Sequence, residues 1–126
     1  MIITNRDILL LYETINSLEK EPKIAFTIKV SYALAKNKKI IEPDVEVIEQ
    51  LRKNIFLEFG KPNENGDIII PWDKSEEMNK KLEELMSIES EKDLILISLD
   101  EMIDSEEKID VKTMSGLLII EKNPGD

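Results

Sequence analysis

Carboxylates are the main side chains in this sequence that could act in catalysis. The chain has no histidine and no cysteine, so it lacks the usual base near neutral pH, the usual metal ligands and a thiolate nucleophile. Its four glycines do not form a phosphate-binding loop or a dinucleotide fingerprint. Acid pairs such as Glu76 with Glu77, or Glu83 with Glu84, lie on a predicted amphipathic helix, where they are typical of a solvated face. We therefore predict no enzymatic activity and no catalytic, metal-binding or cofactor-binding residues.

One segment rich in turn-forming residues partly matches the pattern of an EF-hand calcium loop. The segment Lys61–Trp72 places Asn63, Asn65 and Gly66 at the third, fifth and sixth positions of an EF-hand loop. Lys61 and Trp72 occupy the first and last positions, where calcium requires a carboxylate and a bidentate glutamate. The pattern therefore favours a turn over a calcium site.

The excess negative charge lies entirely in the second half of the chain. Residues 1–60 carry nine basic and nine acidic side chains, whereas residues 61–126 carry eight and eighteen, which accounts for the net charge of −10. Such a field disfavours direct binding to nucleic acid or anionic lipid and favours a partner protein with a basic surface. The segment 100–110 is the most acidic, and its acids are candidate partner-binding residues: Asp100, Glu101, Asp104, Glu106, Glu107 and Asp110. A solubilising loop and a mimic of a phosphate backbone both remain open for it.

Aromatic and basic side chains supply the remaining candidates. Trp72, the only tryptophan, lies between a predicted strand and a predicted helix. A position at the edge of the core is the favoured interpretation, and a partner-binding hot spot is the alternative. The other aromatic residues of the long helical region are expected in the core: Phe26, Tyr32, Phe56 and Phe59. Lys36, Lys38 and Lys39 are expected at a solvated helix end.

The elements that position these residues are mainly helical. Thr4 is a suitable N-cap for a helix beginning at Asn5, and a buried face follows at Ile8, Leu11, Tyr12, Ile15 and Leu18. Helical spacing returns from Ile24 to Phe59. Pro43 costs about 3 kcal/mol inside a helix, so we predict two helices, or one sharply kinked helix, meeting near Glu42.

The second half combines helices with short strands. Ile68–Ile70 and Leu94–Leu99 are predicted to pair with each other, while Asp73 caps a helix reaching about Ile88. Met114–Ile120 favours a final helix capped by Thr113 or Ser115. The predicted fold is mostly α with a small β element, a helical hairpin or bundle with a short two-stranded β-ribbon. We predict a single domain over residues 1–126, with a helical part at about 4–60 and an acidic part at about 61–122.

Several segments together resemble a family of small uncharacterised proteins encoded by phages and prophages of low-GC bacteria. They are the lysine-bearing stretch at 33–39 (ALAKNKK), the segment at 48–53 (IEQLRK), the Glu-Phe-Gly turn at 58–60 and the Asn-Glu-Asn-Gly sequence at 63–66. The resemblance covers most of residues 4–120 and implies a viral origin. It implies no activity and no site residue, and Pro43 departs from the family's uninterrupted long helix.

The functional expectation is a non-enzymatic phage accessory or regulatory protein that binds another protein of the host or the phage. The first alternative is an acidic, nucleic-acid-mimicking inhibitor of a host nuclease defence, of the anti-CRISPR type. The second is a virion structural or assembly component, which would form homo-oligomers through an exposed apolar seam along Ile41, Val45, Ile48 and Ile55. The absence of cysteine and of an apolar span or signal peptide favours the host cytoplasm, without cofactors or membrane contact.

Overall fold

A computed structural model gives the fold of the protein and describes residues 1–20, 26–98 and 110–122. The elements follow in the order β1 Ile2–Thr4, α1 Asn5–Lys20, α2 Ile28–Phe59, β2 Lys61–Pro62, β3 Ile68–Ile69, α3 Ser75–Met86, β4 Glu89–Glu91 and α4 Val111–Leu117. Single 3₁₀ turns at Trp72–Lys74 and Leu118–Ile120 precede α3 and follow α4. This architecture confirms a mostly α fold with a small β component.

The core lies where α1 packs against the other three helices. Its members are aliphatic side chains with almost no exposure, led by Ile8, Leu11, Ile15, Ile41, Leu117 and Ile120. Ile41, Val45 and Ile48 face this core, and Ile55 packs against it while half-buried. The exposed seam predicted for a virion component is therefore wrong, because these side chains already hold α2 against the rest of the molecule.

Helix α1 forms as its local sequence predicts. It begins at Asn5, and the Asp7 N–H donates to Thr4 Oγ1 over 3.2 Å, which satisfies one of the free amides of the first turn. Ile8, Leu11 and Ile15 are buried at the predicted spacing. The helix is described through Lys20.

Helix α2 runs unbroken from Ile28 to Phe59, so the prediction of two separate helices meeting near Glu42 is wrong, while the alternative of one kinked helix stays a prediction. Ile41 and Val45 anchor both sides of Pro43 in the core, and Pro43 itself is exposed. Nearby polar contacts hold the same turn, because Glu42 accepts from the Tyr12 hydroxyl over 3.4 Å and Asp44 pairs with Lys92 over 2.8 Å. Tertiary packing thus offsets the cost of proline inside the helix.

The start of α2 and the positions of its lysines also differ from the prediction. The helix starts at Ile28 instead of Ile24 because Thr27 is its N-cap, and the Thr27 hydroxyl accepts from the Val30 N–H over 3.3 Å. Since the helix continues past Pro43, Lys36, Lys38 and Lys39 lie within it and not at a helix end.

The strand pairing predicted between Ile68–Ile70 and Leu94–Leu99 is wrong. Strand β3 pairs with β2 as an antiparallel hairpin, whose turn uses a positive φ of 81° at Gly66. Strand β1 pairs with β4, two elements too short to show a clear sequence pattern. The segment 94–97 forms no strand, although Ile97 makes one bridge to Glu121. Its backbone is held by the Asn37 side chain, which donates to the Ile95 carbonyl and accepts from the Ile95 N–H.

Two helix starts also differ from the prediction. Asp73 does not cap α3, because a 3₁₀ turn places Lys74 at the N-cap without a side-chain hydrogen bond. The final helix is confirmed, but its N-cap is Asp110 and not Thr113 or Ser115. Gly116 brings α4 against α1 so closely that a Cβ would overlap the Thr14 side chain.

Candidate functional site

The hairpin between α2 and α3 exposes three large apolar side chains within five residues. Trp72 is 90% exposed, Ile69 is 54% exposed and Ile68 is also exposed. We call these three residues the hairpin patch. The favoured core position of Trp72 is wrong, because Pro71 separates it from β3 and the following 3₁₀ turn leaves the indole in solvent. Trp72 thus lies where a partner could reach it.

The backbone beneath the hairpin patch is well supported. Gly60 lets β3 pack on the end of α2, since a Cβ there would overlap the Ile68 side chain. The Gly60 N–H donates to the Phe56 carbonyl over 2.8 Å. In the turn, Asn63 Oδ1 accepts from the N–H groups of Asn65 and Asp67 over 2.9 Å each. The apolar side chains therefore project from a hydrogen-bonded support.

The Lys81 side chain on α3 contacts the C-terminal end of α2. Lys81 Nζ donates to Glu58 over 2.7 Å and lies 5.4 Å from the centre of the Phe59 ring. The hydrogen bond that Lys81 donates to Glu58 raises the pKa of Lys81, and the carboxylates of Glu77 and Glu84 add to the effect. The lysine therefore stays charged and links α3 to the base of the hairpin.

The surface around the hairpin patch is acidic. Residues 61–77 contain five acidic and two basic side chains, a net charge of −3, and all seven are exposed. No ion pair within the described residues involves any of the five acids: Glu64, Asp67, Asp73, Glu76 and Glu77. The hairpin patch thus lies in a segment with excess negative charge.

The acidic segment predicted as a second contact lies mostly outside the described residues. This applies to Asp100, Glu101, Asp104, Glu106 and Glu107, and mimicry of nucleic acid through them stays a prediction.

Asp110 is described, and it has a structural role. Its Oδ1 accepts from the Thr113 N–H over 2.7 Å, and its Oδ2 accepts from the Thr113 hydroxyl over 3.0 Å. These hydrogen bonds hold the pKa of Asp110 below its usual value. Asp110 therefore starts α4, and a change there would test folding as well as binding.

A second exposed surface follows the N-terminal half of α2 and was not predicted. Ile28 is 89% exposed, Tyr32 is 59% exposed, and Lys36 and Lys39 are also exposed. We call these four residues the α2 stripe. The core position expected for Tyr32 is wrong, whereas Phe26, Phe56 and Phe59 are half-buried. The four residues follow one another at spacings of four, four and three, which places them on one face of a helix. The sequence did not reveal this face because two of its residues are polar.

An open groove of about 430 Å³ separates α1, α2 and α3. Its apolar wall is formed by Leu9, Leu10, Phe56, Leu82 and Met86, and both arginines of the chain lie on its rim.

Both rim arginines have acidic partners. Arg6 pairs with Glu83 over 2.6 Å, and Arg52 pairs with Glu49 over 3.2 Å. Hydrogen bonds from Arg6 and Ser87 lower the pKa of Glu83. The groove therefore offers hydrophobic contacts, and both of its arginines are already paired.

The described residues contain neither a metal-binding cluster nor a membrane-spanning helix. Residues 1–20, 26–98 and 110–122 contain no group of three or more acidic side chains placed to hold a metal ion. Within those ranges, no helix combines the length and the apolar character needed to cross a bilayer. Comparison of the chain with models of protein families, with curated proteins and with solved structures gives no match.

Proposed function

We propose that this chain is a non-enzymatic phage accessory or regulatory protein that binds another protein through the hairpin patch. The main support for this proposal is the exposure of Trp72, which directly follows a hydrogen-bonded hairpin. Tryptophan is enriched among the residues that dominate protein interfaces. A single exposed apolar residue is ordinary, whereas this segment carries three exposed apolar side chains within five residues.

Burial of the hairpin patch in a partner would supply part of the free energy of binding. An aromatic side chain that is fully buried removes about 200 Å² from water, which is worth about 5 kcal/mol at 25 cal/mol per Å². Association also costs translational and side-chain entropy. The support from Gly60 and Asn63 reduces the ordering cost because the hairpin backbone is already in place.

The charge around the hairpin patch defines the partner's chemistry. An apolar pocket with lysine or arginine on its rim would accept Trp72 and Ile69 and face the carboxylates of residues 61–77. A pocket with an acidic rim would be repelled. The proposed partner is therefore a host or phage protein with a basic, partly apolar surface.

Affinity capture tests this proposal. Wild-type protein, the Ile69→Ser/Trp72→Ser variant and the control variant Val47→Ser are immobilised and exposed to lysate of a low-GC bacterium. Val47 is exposed and apolar but lies outside the hairpin patch. Circular dichroism first establishes that all three variants are folded.

The expected result is a protein retained by wild type and Val47→Ser and lost with the double variant. The retained protein is then purified, and its affinity should fall at least about 30-fold with the double variant, as for interface hot spots. Equal retention by all three forms, or no specific retention by any, rejects the proposal.

A further inference from the structure

We propose that the hairpin patch of one molecule binds the α2 stripe of a second molecule, so that copies of this chain associate head to tail. This inference rests on the proposed function because it uses the same hairpin patch, and it names a partner for it. Two surfaces of opposite character on one chain support the inference.

The α2 stripe is a continuous surface because the opposite side of the helix fixes its orientation. Val30, Ala33, Leu34 and Asn37 are buried against the core. With 3.6 residues per turn, Ile28, Tyr32, Lys36 and Lys39 then project together to the outside over about three turns. All four side chains are exposed.

The α2 stripe is basic in an otherwise acidic protein. Residues 28–41 contain four lysines and no acidic residue, although the whole chain has 27 acids. Lys38 pairs with Glu19 over 2.8 Å, which raises its pKa. Lys36 and Lys39 are in no ion pair with any other described residue. Two lysine charges therefore remain for an intermolecular contact.

The two surfaces match in both charge and apolar content. The hairpin patch combines Trp72 and Ile69 with acids that form no ion pair with a described residue. The α2 stripe combines Tyr32 and Ile28 with lysines that form none with the described part of the chain. A lysine over the face of an indole adds a cation–π attraction. Contact between the two would bury exposed aromatic rings on both sides and bring opposite charges together.

One molecule cannot make this contact with itself. Ile28 and Phe59 mark the two ends of α2, and at 1.5 Å per residue they are about 46 Å apart along the helix. The contact is therefore between molecules and joins two different surfaces. Such a heterologous interface leaves one free surface at each end of a dimer and permits longer chains or closed rings.

The test uses two variants that each remove one surface. The Ile69→Ser/Trp72→Ser variant removes the hairpin patch, and the Lys36→Glu/Lys39→Glu variant reverses the charge of the α2 stripe. The control, Lys112→Glu/Lys122→Glu, makes the same charge change at two other exposed lysines. Sedimentation velocity is measured for each protein and for mixtures, at concentrations up to about 1 mM.

We expect wild type and the lysine control to form concentration-dependent oligomers, while each surface variant alone stays a monomer of 14.5 kDa. An equimolar mixture of the two surface variants should form a heterodimer of twice that mass and no larger species. One intact hairpin patch then meets one intact α2 stripe. Monomeric wild type, or a mixture that stays monomeric, overturns the inference.

This result is distinguishable from failure of the proposed function. If lysate capture depends on Trp72 but wild type stays monomeric, only the head-to-tail inference fails. If wild type assembles but lysate capture is unaffected by the Ile69→Ser/Trp72→Ser change, the hairpin patch serves self-association and the proposed binding of other proteins fails.

Discussion

Replacing Asn37 by alanine is expected to lower the free energy of unfolding by about 2–4 kcal/mol. The side chain is 0% exposed, and its amide makes two hydrogen bonds to one residue of the chain. Asn37 Nδ2 donates to the Ile95 carbonyl over 2.9 Å, and Oδ1 accepts from the Ile95 N–H over 2.7 Å. Asn37 thus holds Ile95 against α2, while Ile97 is held by backbone hydrogen bonds with Ile120 and Lys122.

The magnitude follows from what alanine leaves behind. Each hydrogen bond contributes about 1 kcal/mol net, and each backbone group left buried without a partner costs about 1–3 kcal/mol. Leu94 and Ile97 flank the contact and are themselves buried, so loosening this segment would also expose core surface. Against a total stability of about 5–15 kcal/mol, this is a large fraction.

Urea unfolding followed by circular dichroism at the helix band measures the effect. Trp72 fluorescence is a poor probe because the indole is already in solvent. The control is Asn54→Ala, an exposed amide on the same helix that accepts from Gln50 over 3.0 Å, and it should change stability by less than about 0.5 kcal/mol. If Asn37→Ala costs no more than this control, the proposed role of Asn37 is wrong.

Three further changes test other features of the fold. Pro43→Ala should raise the free energy of unfolding by about 1–3 kcal/mol in urea titration, because alanine restores an intrahelical N–H; a loss of stability would contradict the account of α2. Gly116→Ala should lower it by about 1–3 kcal/mol, because the new Cβ overlaps Thr14; an unchanged midpoint would contradict that close approach. Acid unfolding tests Asp110. Since hydrogen bonds from Thr113 lower its pKa, its stabilisation is present above its usual pKa of 3.8 and is lost as pH falls through the lowered value. Wild type should therefore lose more stability than Asp110→Asn on acidification, and equal slopes would reject this role.

Helix α1 and the final helix were predictable because their signals are local. Thr4 and the stripe of Ile8, Leu11 and Ile15 lie within one short segment, so the cap and the buried face follow from neighbouring residues. The turn at Gly66 is predictable for the same reason, since only glycine adopts a positive φ without steric cost.

The errors arose where distant residues decide the outcome. Pro43 argues locally for a break, but contacts from Tyr12 and Lys92 hold the helix through it. The segment 94–97 has the composition of a strand, but its backbone is hydrogen-bonded to the Asn37 side chain at Ile95 and to residues 120 and 122 at Ile97. Nothing in the neighbouring sequence indicates either partner.

In the candidate site, too, local sequence indicated some features and distant contacts decided others. Residue type alone singled out Trp72 as a hot-spot alternative, but the favoured interpretation placed it in the core. Its exposure follows from a 3₁₀ turn after Pro71, and the α2 stripe follows from the rotation that the core imposes on α2. Neither depends on the residue types at the site itself.

The sequence by itself determined the charge separation, the lack of imidazole and thiol, and the positions of most helices, because composition and periodicity are properties of the chain alone. The tertiary structure decided that α2 is continuous, which segments pair as strands and which apolar residues remain outside. These outcomes depend on competition for a shared core between residues far apart in sequence. The hairpin patch and the α2 stripe are two of the surfaces whose apolar side chains this competition left exposed to solvent.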